Sequence, residues 1–164
     1  MKSINNIFKK VCILAVVASM AGCDMLDTKP YDFVAPETFY KNETDCTMAL
    51  AGVYWTMAAE HVYGNRYSCM LSNIDDLSYY YRQNQTSAVV ANSHNTGNTD
   101  LWYTWESLYS GINNANVLLD NIDGASISDE KVRARIKGEA KFLRAYYHFL
   151  LVQGWYEVPI RKET

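Results

Sequence analysis

Apolar residues recur every three or four positions in three segments of the chain, which is the spacing of one face of an α-helix. The first segment starts at Thr44, a residue type suited to a helix N-cap, and runs to about Glu60. Its apolar stripe consists of Ala49, Leu50, Val53, Tyr54 and Met57. We therefore predict a first helix between these limits.

The second segment begins near Asp100 and ends at Asp123-Gly124, where a terminal glycine is typical of a helix end. Its stripe consists of Trp105, Leu108, Tyr109, Ile112, Leu119 and Ile122. Asn116 falls inside this stripe, and each unmet hydrogen-bonding group of a buried amide costs ~1–3 kcal/mol. We predict a second helix in which Asn116 is a hydrogen-bonded fastener of the core.

The third segment starts at Ser128, which is predicted as its N-cap, with Asp129 and Glu130 at the positive end of the predicted helix dipole. Its main stripe consists of Val132, Ile136, Ala140, Leu143, Tyr147 and Leu150, and its second apolar flank of Phe142, Tyr146 and Phe149. A helix that is apolar over most of its circumference needs neighbours on several sides. We predict an all-α fold that is incomplete at its C-terminus, with partners of this helix beyond Thr164.

The weakly periodic stretch 61–99 is long for a structureless loop, which indicates either a function or an element that the pattern hides. It contains the adjacent carboxylates Asp75 and Asp76. Hydrolysis of a glycosidic bond needs two carboxylates facing each other at roughly 5–9 Å, and neighbours on an extended segment point to opposite faces. A turn-forming pair is the favoured interpretation.

The N-terminus has the pattern of an export signal: a lysine-containing opening followed by the uncharged apolar run 11–18, which is shorter than the ~20 residues of a spanning helix. The run leads into Met20-Ala21-Gly22-Cys23, which resembles a bacterial lipobox. We predict a signal peptide over 1–22 and lipidation of Cys23, with palmitate-type acyl chains as the membrane anchor. The alternative is a secreted protein in which Cys23 is incidental.

A tether is predicted over 23–36, because Pro30 and Pro36 disfavour helix before Glu37, and the helical domain is assigned to 37–164. Removal of the signal takes away three lysines, which leaves 12 Lys and Arg against 18 Asp and Glu without a basic cluster. This balance argues against nucleic acid as a partner.

The cysteines and histidines show no metal-ligand spacing, so no metal or other cofactor is predicted. Cys46 and Cys69 could pair in an oxidising compartment, although two small buried apolar side chains are the favoured interpretation. No common catalytic motif appears either, so the sequence gives no support for an enzyme.

Aromatic content is the distinctive feature, with 13 Tyr and 4 Trp. Rings in polar company, such as Trp102-Tyr103, offer a flat apolar face to a sugar while nearby polar groups bond its hydroxyls. Helical spacing assigns four tyrosines to the core: Tyr54, Tyr109, Tyr146 and Tyr147. The role of the run 79–81 stays open.

Several segments together resemble the N-terminal part of the SusD/RagB family of outer-membrane nutrient-binding lipoproteins. They are the lipobox followed by "LDTKP", then "PETFYKNETD" leading into "ALAGVY", then "WESLYSGINNANVLLDNID", and finally "GEAKFLRAYYHFLLVQGWYEVPI". The resemblance implies a scaffold of tetratricopeptide-like helical hairpins with a long irregular loop region. It also implies a lid on a TonB-dependent (SusC-like) transporter at the outer face of the outer membrane, which captures oligosaccharides without catalysis.

The resemblance also implies candidate glycan-binding residues, which are Asp75, Asp76, Tyr80, Arg82 and Trp102. A structural role for Trp102 at a helix start is the alternative. The chain departs from the family at Tyr156, where members usually have glycine before the acidic residue of the "EVP" segment, so Gly154 is the candidate for the turn.

Two rival functions remain at this point. One is a helical protein–protein interaction scaffold of the cell envelope that binds no sugar, and the other is a lipid-anchored hydrolase. The sequence does not name the glycan.

Overall fold

The computed structural model describes residues 39–73, 88–89 and 93–164. These residues form four α-helices, which we label α1 (Glu43–Ala58), α2 (Arg66–Asn73), α3 (Thr99–Asn121) and α4 (Glu130–Trp155). A π-helical turn (Glu60–Gly64) precedes α2, and a 3₁₀ turn (Ile122–Gly124) follows α3. The described ranges contain no β-strand, so the all-α class is confirmed. The predicted signal peptide, Cys23 and the tether lie outside the described residues.

Asparagine side chains cap the first and third helices. Asn42 Oδ1 accepts a hydrogen bond from the Asp45 N–H at 3.0 Å, and Asn98 Oδ1 accepts one from the Leu101 N–H at 3.0 Å. The prediction of Thr44 as the first cap is therefore wrong. The side chain of Asn42, two positions earlier, instead accepts from an N–H group of the first turn, which has no partner within the helix.

The ends of the α3–α4 connection also differ from the sequence prediction. Asp129, not Ser128, caps α4, because its Oδ1 accepts from the Lys131 N–H at 2.8 Å. Gly124 does not adopt the left-handed conformation of a terminal glycine, and the chain leaves α3 through the 3₁₀ turn instead. Arg133 then reaches back to this turn, where its guanidinium donates to the Ile122 carbonyl at 2.6 Å.

Helices α3 and α4 form an antiparallel pair. The Trp105 and Trp155 rings lie 5.3 Å apart, which joins the start of α3 to the end of α4, and further along α3 the Arg144 guanidinium bonds Asn116. Two helices joined by a short connection pack in this way when each buries one apolar stripe. The tetratricopeptide-like character of the hairpins stays a prediction.

Helix α1 packs against both members of this pair and runs parallel to α4. Tyr54 Oη donates to Glu139 Oε2 at 3.0 Å, and the buried Tyr147 Oη donates to the Val53 carbonyl at 2.5 Å. Burial raises the pKa of the Tyr147 hydroxyl to about 12. On the α3 side, the contact is made at Gly111, where a Cβ atom would lie 2.7 Å from Thr56.

One core joins these helices, and it contains most of the predicted stripe residues. The buried apolar side chains of α1, α3 and α4 are Cys46, Leu50, Val53, Leu108, Ile112, Ala115, Leu118, Ile136, Ala140, Leu143, Tyr147, Leu150 and Leu151. Tyr147 is thus confirmed as core, Tyr109 and Tyr146 are partly buried, and the assignment of Tyr54 to the core is wrong because its side chain is exposed at the α1–α4 surface. Cys46 is a free buried thiol, so it forms no disulfide with Cys69.

Asn116 has the predicted role of a hydrogen-bonded residue in the core. Its amide is almost fully buried, donates from Nδ2 to the Glu163 carbonyl at 2.9 Å, and accepts at Oδ1 from Arg144 at 2.7 Å. Both ends of the amide are therefore satisfied, as burial requires.

The stretch predicted as an irregular loop begins with helical structure. The π-helical turn and α2 occupy residues 60–73, while 74–87 and 90–92 lie outside the described residues. The turn requires a glycine, because a Cβ atom at Gly64 would lie 2.7 Å from the Ala58 carbonyl oxygen. The 3.6-residue pattern fails at this point since a π-turn shifts the helical phase.

The second apolar flank of α4 is on the surface of the described structure. Phe142 is 66% exposed and Phe149 is also exposed, while Tyr146 lies between them with its ring almost parallel to that of Phe142 at 6.2 Å. The Tyr146 hydroxyl is 2.6 Å from that of Tyr63. The location of partners for this flank beyond Thr164 stays a prediction. None of the described helices is long and apolar enough to cross a bilayer.

Tyr156 ends α4 in a conformation that favours glycine. Its φ is 65° and its ψ is −77°, and its N–H donates to the Val152 carbonyl at 2.9 Å. The sequence prediction that Gly154 makes this turn is wrong, because Gly154 lies within α4. The turn is of the glycine type, and a tyrosine occupies it at a steric cost.

Replacing Tyr156 with glycine is therefore expected to raise the free energy of unfolding by about 1 kcal/mol, since the strain is relieved. Little packing is lost because the side chain is 83% exposed. Urea unfolding measures the change. The control is Ala134→Gly, at an exposed position inside α4, which should lower stability by about 1 kcal/mol. Equal destabilisation by both changes would contradict a strained Tyr156.

Candidate functional site

The segment that follows α4, residues 157–164, returns along the α3–α4 pair, and we call it the C-terminal strap. On the α3 side, Tyr109 Oη donates to the Pro159 carbonyl at 2.7 Å, and Asn116 Nδ2 donates to the Glu163 carbonyl at 2.9 Å. These bonds satisfy strap carbonyls that have no helical partner, so they fix its backbone against the helix.

On the α4 side, the strap is held by His148 and Arg144. His148 Nε2 accepts from the Arg161 N–H at 3.1 Å, and its Nδ1 lies 2.8 Å from the Arg144 carbonyl. Because a carbonyl only accepts, these partners assign the proton to Nδ1 of a neutral ring. The Arg144 guanidinium donates to the Lys162 carbonyl at 2.9 Å and to Asn116 Oδ1.

A groove of about 530 Å³ lies between α3 and the strap. It is lined by Trp102, Trp105, Glu106, Tyr109, Ser110, Ile112, Asn113, Asn114, Asn116, Pro159 and Arg161. All but the last two belong to α3, where spacings of three and four place them along one side of the helix.

The aromatic wall of this groove is formed by three rings from α3. Trp102 is 60% exposed. Trp105 lies one turn further on, with its ring 4.9 Å from that of Tyr109 and tilted by 50°. Trp155 supports the wall from behind, because its ring meets that of Trp105 edge-on at 5.3 Å. The positions of the Trp105 and Tyr109 rings are thus fixed by packing.

Polar groups occur along the same groove. Glu106, Asn113 and Asn114 of α3 are exposed, as is Arg161 of the strap. Burial raises the pKa of the Tyr109 hydroxyl, and the Arg161 charge opposes this shift. Such a mixture of ring faces, amides and charges can bind a polyhydroxylated ligand.

A second cluster fixes the first turn of α3 beside Trp102. Arg66 of α2 forms an ion pair with Asp100, and its guanidinium carbon lies 5.7 Å from the Tyr103 ring centre. The His61 ring stacks on Tyr103 at 4.9 Å. These contacts tie the π-helical turn and α2 to the start of α3.

The structure places one of the predicted glycan-binding residues in this groove, namely Trp102. The other four lie outside the described residues, and they are Asp75, Asp76, Tyr80 and Arg82. Their roles and that of Trp102 stay predictions. The described residues contain no group of three or more His, Cys, Asp or Glu side chains able to hold a metal ion.

Sequence reasoning missed the remaining groove residues. Trp105 and Tyr109 were assigned to the apolar core stripe, yet both are only partly buried and each turns one face to the groove. The sequence did contain a signal for the groove: along 102–113, aromatic and amide residues stand where a core stripe would have aliphatic ones. Arg161 gave no signal, because its position depends on how the strap folds back.

Comparison with known proteins agrees with the predicted family. Residues 24–164 match the SusD-like family model that is described as "Starch-binding associating with outer membrane". The chain belongs to this SusD-like family.

Curated relatives include two proteins of Formosa agariphila. SusD-like protein P25 is 30% identical over 90% of this chain and 30% of its own length, and SusD-like protein P2 is 26% identical over 92% of this chain and 30% of its own length. The chain thus spans about 30% of the length of these curated relatives. No solved structure gives a significant match.

Proposed function

We propose that this protein captures oligosaccharides at the outer face of the outer membrane and passes them to a TonB-dependent transporter. The observation that carries the proposal is the α3 groove, in which Trp102, Trp105 and Tyr109 line one wall beside amide and charged groups. The family description as starch-binding and associated with the outer membrane supports the same ligand class.

The groove has the chemistry that sugar binding requires. Pyranose rings carry C–H surfaces that pack on aromatic faces, while their hydroxyls need donors and acceptors at the edge of the contact. The volume of about 530 Å³ falls within the ~300–1,000 Å³ typical of ligand sites. Because the Trp105 and Tyr109 rings are held by Trp155 and the strap, these two side chains lose little entropy on binding.

We assign binding without catalysis to this site. Glycosidases place two carboxyl groups across the scissile bond, and the described lining residues contribute one, Glu106. Incubating the protein with a saccharide that it binds, and analysing the mixture for shorter products, tests this assignment. Turnover that is lost in Glu106→Gln would overturn it in favour of the hydrolase.

Replacing Trp102 with alanine is expected to weaken saccharide binding at least about tenfold, since exposed tryptophans are frequent binding hot spots. Isothermal titration of the full-length protein with a panel of neutral and acidic oligosaccharides measures this. Trp55→Ala is the matched control, because Trp55 is 70% exposed on α1 and does not line the groove. Equal effects of both changes, or no binding at all, would contradict the proposed site.

We also propose that Cys23 carries the lipid anchor, on the strength of the motif Met20-Ala21-Gly22-Cys23. Several acyl chains on one cysteine bury enough methylenes to make attachment effectively permanent. Cells given radiolabelled palmitate should incorporate label into the wild-type protein and into Cys69→Ser, and not into Cys23→Ser. Undiminished label in Cys23→Ser would exclude this anchor.

A second candidate is a helical interaction scaffold, and the exposed aromatic flank of α4 favours it. If the scaffold is correct, a co-purifying envelope protein should be lost when Phe142 and Phe149 are changed to alanine and retained in Trp102→Ala. If the capture proposal is correct, saccharide binding should be lost in Trp102→Ala and retained when Phe142 and Phe149 are changed to alanine.

A further inference from the structure

The strap brings a cationic group into the groove whose charge is not neutralised by a described carboxylate. Among the described ion pairs, none includes Arg161. Its backbone N–H, and not its guanidinium, makes the bond to His148. The side chain therefore remains available at the edge of the groove, while the backbone that carries it is fixed.

A second guanidinium lies behind the groove floor. Arg144 donates to two neutral acceptors, Asn116 Oδ1 at 2.7 Å and the Lys162 carbonyl at 2.9 Å, and it takes part in none of the described ion pairs. Asn116 itself lines the groove. The positive charge of Arg144 thus adds to the potential at this end of the groove, where burial strengthens it relative to water.

The groove carries charges of both signs. Pro159 of the strap is bonded at the level of Tyr109 and Glu163 at the level of Asn116, so the backbone of Arg161 lies between these levels. The Arg161 charge acts on the Tyr109 hydroxyl. Glu106 lies about one helical turn before Tyr109, and it forms no ion pair with Arg161 among the described residues.

We propose that this groove selects oligosaccharides that carry an anionic group, either a uronate carboxylate or a sulfate ester. The anionic group binds Arg161, and the neighbouring neutral part of the chain stacks on the Trp102–Trp105–Tyr109 wall towards Glu106. This inference rests on the proposed function and specifies its ligand class.

The geometry of arginine favours this assignment over a neutral sugar. A guanidinium donates two parallel hydrogen bonds to a carboxylate or sulfate, and such charge-assisted pairs are about twice as strong as neutral ones. A neutral saccharide would gain one ordinary hydrogen bond from Arg161 and would leave the potential of Arg144 unused. The orientation of the bound ligand is then fixed, with its charge at the strap.

The test compares two matched pairs of tetrasaccharides: oligogalacturonate with its neutral methyl ester, and a sulfated galactan with the same galactan without sulfate. Isothermal titration with the full-length protein at low salt should show at least one acidic form binding roughly tenfold more tightly than its neutral partner. The advantage should shrink as salt is raised. Comparing the two acidic forms distinguishes the carboxylate from the sulfate ester.

Arg161→Gln should reduce the affinity for the acidic form to near that for the neutral one, with a smaller loss for the neutral form, which loses only one ordinary hydrogen bond. The strap should stay in place because its bond to His148 uses the backbone, and an unchanged circular dichroism spectrum verifies this. Lys131→Gln is the matched control, since it removes the same charge at the start of α4, ~20 Å along the helix from Arg144. It should leave the preference for acidic forms intact.

Each result supports or overturns the inference. Equal affinities for neutral and acidic forms, or a uniform loss in Arg161→Gln, overturn the anionic preference and leave saccharide capture standing. Absence of binding to every form overturns both. Loss of the acidic preference in Glu106→Gln as well would overturn the assignment of this preference to Arg161, because removing that carboxylate should strengthen acidic binding relative to neutral binding.

Discussion

Replacing Arg133 with methionine is expected to lower the free energy of unfolding by about 4 kcal/mol, because buried carbonyls lose a charged donor. The side chain is 15% exposed. Its guanidinium donates to the Ile122 carbonyl at 2.6 Å, the Ala125 carbonyl at 3.2 Å and the Ile127 carbonyl at 3.1 Å. One side chain therefore binds three carbonyls of the connection between α3 and α4, which has no left-handed glycine to end the helix.

Urea or thermal unfolding measures this loss. Arg133→Lys keeps the charge without the planar guanidinium, so its free energy of unfolding should lie between those of the wild type and of Arg133→Met. Arg135→Met is the matched control on the same helix, because Arg135 is 55% exposed and pairs only with Glu139, an arrangement worth at most about 0.5 kcal/mol. Similar losses in Arg133→Met and Arg135→Met would show that the connection does not depend on Arg133.

Replacing Gly111 with alanine is expected to destabilise the protein by about 2–3 kcal/mol through overpacking, although alanine is the better helix former. A Cβ atom there would lie 2.7 Å from Thr56 Cγ2 and 2.8 Å from the Tyr147 ring. Neither neighbour can move easily, because threonine is branched at Cβ and the Tyr147 hydroxyl is bonded to the Val53 carbonyl. Helix α1 would have to separate from α3.

Gly138→Ala supplies the control for this substitution. Gly138 lies inside α4, and a Cβ atom added there would meet no other atom within 4 Å, so the same change should stabilise by about 0.5–1 kcal/mol. Measuring the free energy of unfolding of both variants separates the cost of overpacking from the gain in helix propensity. If Gly111→Ala were also stabilising, the close approach of α1 to α3 would be wrong.

The helical elements could be predicted from the sequence because each long helix buries one continuous stripe. The stripes of α3 and α4 gave the correct helices, and Asn116 within a stripe correctly indicated a satisfied buried amide. Periodicity is informative here because burial on one side of a 3.6-residue helix leaves a direct mark in the sequence.

The helix ends were predicted less well, because they depend on a competition between adjacent polar side chains. Asn42 was overlooked in favour of Thr44, and Asp129 in favour of Ser128. The turn at Tyr156 was missed for a different reason: its φ is 65°, a conformation that tyrosine rarely adopts. Local sequence preference does not carry that information.

The candidate site, too, could be predicted only in part from the sequence. The exposed aromatic Trp102 was found from composition and resemblance, while Arg161 entered the groove only through the bonds that His148 and Tyr109 make to the strap. Contacts between residues about 50 positions apart leave no periodic signal, so this half of the groove required the structure.

The attachment of α1 also has a consequence for how the bundle is made. The bond between Tyr147 and Val53 joins residues 94 positions apart. During synthesis, α1 is therefore made before α4, and its apolar stripe stays exposed for seconds at ribosomal speeds of ~5–20 residues per second. Contacts between residues this far apart slow folding, and an exposed apolar stripe is a surface that chaperones bind.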